Sequence, residues 1–321
     1  MGIIGFSFRS AILLVATVLW TVPMHAEDDS ADQIDDVGGV RTVRVLTIGN
    51  SFAQNACRYL PQISRDGAVD LIIGTANLGG CTLEKHATLA KRSAADPTRK
   101  PYTHADGNKR TQVSLQEYLK LEPWDFVTVQ QMSALSFHPE TFQPHLDYLV
   151  ELIRSEAPQA KLVVHQTWAY RPDSPLLKQQ RVSQDEMYQR LSKAYADVAQ
   201  KYQATIIPVG TAFQRVREAA GHQVVVPDSE FDYDQPEFPS LPDQSNSLVV
   251  GWHWQKGGDK PALKLDFKHA NAAGCYLAGL VWYETLTGKD AREITFVPAA
   301  VDHQQATFLR QTAHAVVADR R

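Results

Sequence analysis

Apolar and polar positions along this chain follow two rhythms, and each rhythm predicts a kind of element. Near-continuous apolar runs at 43–48, 69–73, 124–130, 161–167 and 204–209 predict five strands. Between them apolar residues recur at helical spacing, as with Phe52, Ala56, Tyr59, Leu60 and Ile63 after the first strand. Further helices are expected at 112–121, 145–156 and 183–202, the last opened by a capping box of Ser183 and Glu186. Two more helical patterns cover 269–287 and 303–318. Strands that are apolar throughout are buried on both faces. Their alternation with helices predicts an α/β fold, a three-layer αβα arrangement around a doubly wound parallel sheet.

Two stretches break the rhythm. Residues 91–112 are charged and carry Pro97, Pro101 and Gly107, which predicts an inserted surface loop. Residues 221–262 carry Pro227, Pro236, Pro239 and Pro242, then Trp252, His253 and Trp254, and predict a long loop or lid. The two tryptophans could stack on a sugar ring or simply pin the loop to the core.

The N-terminus is set apart from the fold. Arg9, an apolar run over 10–20, Pro23, Ala26 and an acidic stretch from Glu27 read as a secretory signal peptide over residues 1–26. The apolar run is short for a bilayer span, which needs about 20 residues; an uncleaved anchor is the alternative. A flexible leader is expected at 27–40, and one domain over 41–321. The protein is therefore expected to be secreted or periplasmic. Hydrophobic residues at 44% and charged residues at 21% suit an ordinary globular core. A net charge of -4, with no Lys/Arg run, argues against a nucleic-acid partner. Three cysteines, Cys57, Cys81 and Cys275, are too few for a disulfide scaffold, although an exported chain could join two of them.

In a doubly wound sheet, sites form at the carboxyl ends of the strands. Four places qualify: Gly49 to Ser51, Gly79-Gly80, Gln130 to Ser133, and His165 to Trp168. Ser51 stands at a strand-to-helix turn, where backbone N–H groups could receive an oxyanion; equally, it could merely cap the helix. Asp266 and His269, three apart, could orient an imidazole as a general base. They could also be a helix cap with a surface histidine. A metal reading would join His253 to them. Gly79-Gly80 lets backbone approach a ligand, and the amides of Gln130 and Gln131 can donate to an anion. His86, His104, His138, His145 and His165 are taken as surface or packing residues, with His165 and Trp168 the first to consider for substrate contact.

Taken in order, these blocks resemble the pattern of the SGNH/GDSL hydrolase superfamily over roughly residues 43–287. Gly-Asn-Ser-Phe, Gly-Gly-x-x-Leu, Trp-Asp-x-Val-x-x-Gln-Gln-x-Ser and Asp-x-x-His-x-Asn are most similar to a branch whose function is not known. The resemblance implies a flavodoxin-like hydrolase domain. Ser51 would be the nucleophile, His269 the base and Asp266 its orienter. It implies an oxyanion hole from the N–H of Ser51, the N–H of Gly80 (or Gly79) and a side-chain amide. The usual asparagine of the third block is missing here, so Gln131, or else Gln130, would supply that amide. Asn50 stands where the superfamily often has Asp. The expected activity is ester hydrolysis through an acyl-serine, without metal or organic cofactor. A carbohydrate O-acetyl ester is the preferred substrate, with Trp168, His165, Trp252 and Trp254 as candidate contacts. A lipase or thioesterase activity, or a non-catalytic glycan-binding or envelope protein that keeps the fold, are the rivals.

Overall fold

The computed structural model describes residues 1–2, 40–257 and 260–320. Apart from residues 1, 2 and 40, the expected signal peptide and leader lie outside the described residues. The chain opens with β1 (Arg41–Gly49), α1 (Ser51–Cys57), α2 (Leu60–Asp66), β2 (Val69–Asn77) and α3 (Leu83–Ala95). Next come β3 (Tyr102–Asp106), β4 (Lys109–Val113), α4 (Leu115–Leu119), β5 (Phe126–Val129), α5 (His145–Glu156) and β6 (Lys161–His165). Then follow α6 (Pro175–Gln180), α7 (Gln184–Tyr202), β7 (Thr205–Ile207) and α8 (Val209–Glu218). The last elements are β8 (Val249–Gln255), β9 (Ala262–Ala270), α9 (Ala272–Thr287) and α10 (His303–Ala318).

The five expected strands form one parallel sheet in the order β2-β1-β5-β6-β7. β1 is an interior strand, and its residues are apolar on both faces: Val43, Val45, Leu46 and Ile48 are all essentially inaccessible. The chain leaves β1 toward β2 on one side and returns to β5 on the other. The strand order therefore reverses between β1 and β5, and the crevice for a ligand opens at their carboxyl ends. Helix α9 is apolar around almost its whole circumference, so it is buried beneath α10 and against α1 and α2. Gly288, with φ of 73°, ends it.

Two regions depart from expectation. Within 91–112 the chain forms the last part of α3 and then the antiparallel β3–β4 hairpin rather than a bare loop. The expected 221–262 loop closes with a second hairpin, β8–β9, whose register pairs Gly251 with Asp266. His269 therefore sits at the end of a strand, and the helix expected from 269 starts only at Ala272, capped by Asn271. Among the described residues no helix is long and apolar enough to cross a membrane. Cys57, Cys81 and Cys275 are all free thiols.

Candidate active site

β1 ends at Gly49, whose backbone must pass close to two side chains. A Cβ there would lie 2.9 Å from Gln130 Oε1 and 3.1 Å from Asn77 Oδ1. Asn50 then turns the chain with φ of -144°, and its Oδ1 accepts from the N–H of Phe52 at 3.1 Å. Asn50, not Ser51, is the helix cap. The Ser51 side chain is left to point elsewhere: its Oγ lies 2.9 Å from Nε2 of His269.

The other ring nitrogen of His269, Nδ1, lies 2.8 Å from Asp266 Oδ2. Asp266 Oδ1 accepts from the backbone N–H groups of His269 at 3.0 Å and Lys268 at 3.2 Å. Burial pushes the Asp266 carboxyl up, but the His269 ring and these N–H groups outweigh it and hold the pKa down to about 2. The carboxylate is thus ionised and can only accept, which assigns the ring proton to Nδ1. Nε2 is left as an acceptor for the Ser51 hydroxyl. The His269 and Asp266 side chains are 32% and 24% exposed, so the pair faces solvent rather than the core.

The backbone on either side of His269 is tied down separately. Trp168 Nε1 donates to the Lys268 carbonyl at 2.8 Å, and the Ala270 N–H donates to Asn55 Oδ1 on α1 at 3.1 Å. Trp168 itself is fixed between Phe52, stacked at 4.1 Å, and Phe213, stacked at 4.6 Å. With zero exposure, Trp168 and His165 are not substrate contacts as expected. They belong to the floor that supports the site. His165 Nδ1 meets Gln130 Oε1 at 2.8 Å, and burial pulls its pKa down to about 3, so it is neutral.

The donors expected for an oxyanion divide sharply. Leu78 and Cys81 close a turn at 3.1 Å across Gly79 and Gly80, with Gly80 at φ of 61°, a conformation that costs a glycine nothing. The N–H groups of Ser51, Gly79 and Gly80 make no hydrogen bond within the described residues. The glutamines are different. Gln131 Nε2 donates to the carbonyl and hydroxyl of Thr141 at 2.9 and 3.1 Å, and its Oε1 accepts from Leu83 and Met132. Gln130 Nε2 donates to Asn50 Oδ1 at 2.7 Å. Both are buried and committed to internal partners, which corrects the expectation that one of them completes an oxyanion hole. The side-chain amide beside Gly49 that carries no partner is that of Asn77 at the end of β2, which sequence reasoning passed over.

His86 was also passed over as packing. It is fully buried and neutral, burial lowering its pKa to about 4. Its Nε2 donates to the Gly49 carbonyl at 2.9 Å, and its Nδ1 accepts from Tyr102 at 2.8 Å. The Ser51 turn is therefore held from below.

The two loop tryptophans are engaged within their own region. Trp252 packs on Tyr233 at 5.2 Å, while Trp254 meets Phe238 at 5.6 Å and donates to the Ser240 carbonyl. Both rings thus brace the loop internally, neither pinning it to the core nor standing free as a stacking platform. His253 bonds back to the Gly251 carbonyl and does not join Asp266 and His269 in a ligand cluster. Among the described residues, the metal-ligating side chains that converge are Glu284, Asp290 and His314, near the other end of α9.

The profile of the DUF4886 family, described as a domain of unknown function, matches residues 44–234. A DUF4886 family protein from Bacteroides uniformis is similar in structure, with a TM-score of 0.67 and 26% identity over 86% of this chain and 95% of that one. A candidate SGNH hydrolase from Slackia heliotrinireducens aligns at a TM-score of 0.48 and 21% identity, over 76% of this chain and 99% of its own. A GDSL-like lipase candidate from Parabacteroides merdae aligns at 0.44 and 12% identity, over 78% and 98%. No curated protein matches the chain.

Proposed function

The chain belongs to the DUF4886 family, and from its site we propose that it is a serine hydrolase that cleaves an ester through an acyl-Ser51 intermediate. The observation that carries this reading is the unbroken relay from Asp266 through His269 to Ser51, with contacts of 2.8 and 2.9 Å. Nε2 of His269 takes the hydroxyl proton as Ser51 Oγ attacks the carbonyl carbon. The developing oxyanion is received by the unengaged N–H groups of Ser51 and Gly80. His269 returns the proton to the departing alcohol, then activates a water that frees the acid and restores Ser51. Asp266 keeps the imidazole in the tautomer this requires. No metal or organic cofactor has a step in this scheme.

The finer proposal is a carbohydrate O-acetyl ester, hydrolysed outside the cytoplasm. Its support is the export signal read from residues 1–26 and the solvent-facing Asp266–His269 pair. Trp252 and Trp254 no longer contribute to it. The competing reading, a glycan-binding protein without activity, gains from the commitment of Gln130 and Gln131 to internal bonds. Labelling with a fluorophosphonate probe separates the two. Wild type should be labelled and Ser51→Ala should not; absence of labelling on folded wild type rejects the hydrolase. Rates on short-chain nitrophenyl esters against acetylated oligosaccharides then test the substrate class, which fails if longer acyl chains are preferred.

A further inference from the structure

We propose that the protein binds a small oxyanion of the phosphate or sulfate kind in a pocket between Arg171 and Arg217, beside the start of β8. The cavity measures about 200 Å³ and is lined by these two arginines together with Gln184, Gln223 and Ser247; no carboxylate lines it. Its volume exceeds that of one water, whose share of liquid is about 30 Å³, several times over.

The two guanidiniums are not equally provided for. Arg171 is 2% exposed, and Asp173 takes its Nε at 2.9 Å and its Nη2 at 3.0 Å, while Gln244 takes Nη1. Its side-chain donors are thereby engaged. Arg217, on α8, has an inaccessible Nη1 with no hydrogen-bond partner. Its guanidinium lies 5.7 Å from the Phe213 ring, and among the described residues no carboxylate is within ion-pair distance of it. The neighbouring Asp185 is engaged by Gln214 at 3.0 Å. Arg217 lines the cavity without a hydrogen-bonded partner among the described residues, and guanidiniums present forks that match tetrahedral oxyanions. Burial and the adjacent Arg171 pull the Arg217 pKa down to about 10 against the opposing charge of Asp185, an effect an anion would reverse.

The location gives such an anion something to do. Arg171 also donates its backbone N–H to the Phe267 carbonyl at 3.1 Å, two residues before His269. Ser247 belongs to the segment that leads into the hairpin, and Asn271 donates to its carbonyl. An occupant would therefore join α8, the chain after β6 and the entry to β8.

The test is thermal unfolding of the whole protein in inorganic phosphate, in sulfate, and in chloride at equal ionic strength. Phosphate or sulfate should raise Tm in proportion to the logarithm of its concentration above Kd, by roughly 5 °C at about 100 times Kd, and chloride should not. Arg217→Gln should remove the rise while fluorophosphonate labelling of Ser51 continues. Gln223→Glu, which lends the pocket a carboxylate of its own, should remove it too, and decides the matter if Arg217→Gln does not fold. No rise in wild type beyond that in chloride, or a rise that a folded Arg217→Gln or Gln223→Glu retains, overturns the proposal.

Discussion

The indole N–H of Trp168 holds the carbonyl of Lys268 at 2.8 Å, one residue before the imidazole that faces Ser51. On the far side Asn55 holds Ala270, so His269 is gripped through its two chain neighbours rather than through its ring alone. Trp168→Phe keeps an aromatic ring between Phe52 and Phe213 but drops the bond to Lys268. A misplacement of about 1 Å can cost up to about 10²-fold in rate. The variant should lose roughly tenfold in kcat on a nitrophenyl ester with KM nearly unchanged, and about 2 kcal/mol in urea unfolding. Equal kcat in the two proteins would show that the grip does not position the base.

Because Asn50 caps α1, Ser51 is free of structural duty. Ser51→Ala should abolish labelling and turnover while changing stability by no more than about 0.5 kcal/mol. Asn50→Ala should behave oppositely in stability. It removes the cap, worth about 1 kcal/mol, and strips Gln130 of the acceptor it reaches at 2.7 Å. Paired unfolding curves check this; a Ser51→Ala protein as destabilised as Asn50→Ala would contradict the capping assignment.

The parallel sheet was legible because largely buried strands leave predominantly apolar runs, and all five such runs became its strands. Both hairpins had signals that were outweighed by composition. Gly107-Asn108 is the two-residue turn between β3 and β4, with Gly107 at φ of 53°, yet the surrounding charges suggested loop. Leu263, Leu265 and Phe267 alternate with polar residues, the two-residue period of β9, but the spacing of Asp266 and His269 drew attention to a helix start instead. Strand-end position alone misassigned His165 and Trp168, since position along a strand does not tell which side chains lie under the site. The direction of Gln130 and Gln131 was not legible either. It depends on Thr141, Asn50 and His165, partners that only the fold brings near.

Gln131 offers a way to tell a structural amide from a catalytic one. Its four bonds reach Leu83, Met132 and Thr141. Gln131→Ala should therefore cost roughly 2–4 kcal/mol of stability through the buried groups it strands. Turnover, measured well below the melting temperature, should fall far less than the 10²–10³-fold typical of a lost oxyanion donor. A folded variant with a loss of that size would return Gln131 to the oxyanion hole.

Acid should destabilise the protein in two stages whose signs follow from two buried histidines and the partly exposed Asp266. His86 and His165 are held neutral, with pKa values brought down to about 4 and about 3 from 6.5, so the unfolded chain binds protons that the folded one refuses. Their contribution is complete above pH 6.5 and is lost as pH falls toward 3, at up to about 2.7 kcal/mol per pH unit when both act. Asp266, down to about 2 from 3.8, adds a second loss below pH 3.8, when the unfolded carboxyl protonates before the folded one does. Denaturant unfolding at pH 7, 5.5 and 4.5 should show the first stage in wild type. His165→Gln, which cannot take up the proton in either state, should show about half the slope over the same range. A wild-type stability that stays level between pH 7 and 4.5 would mean that neither histidine is kept neutral by its burial.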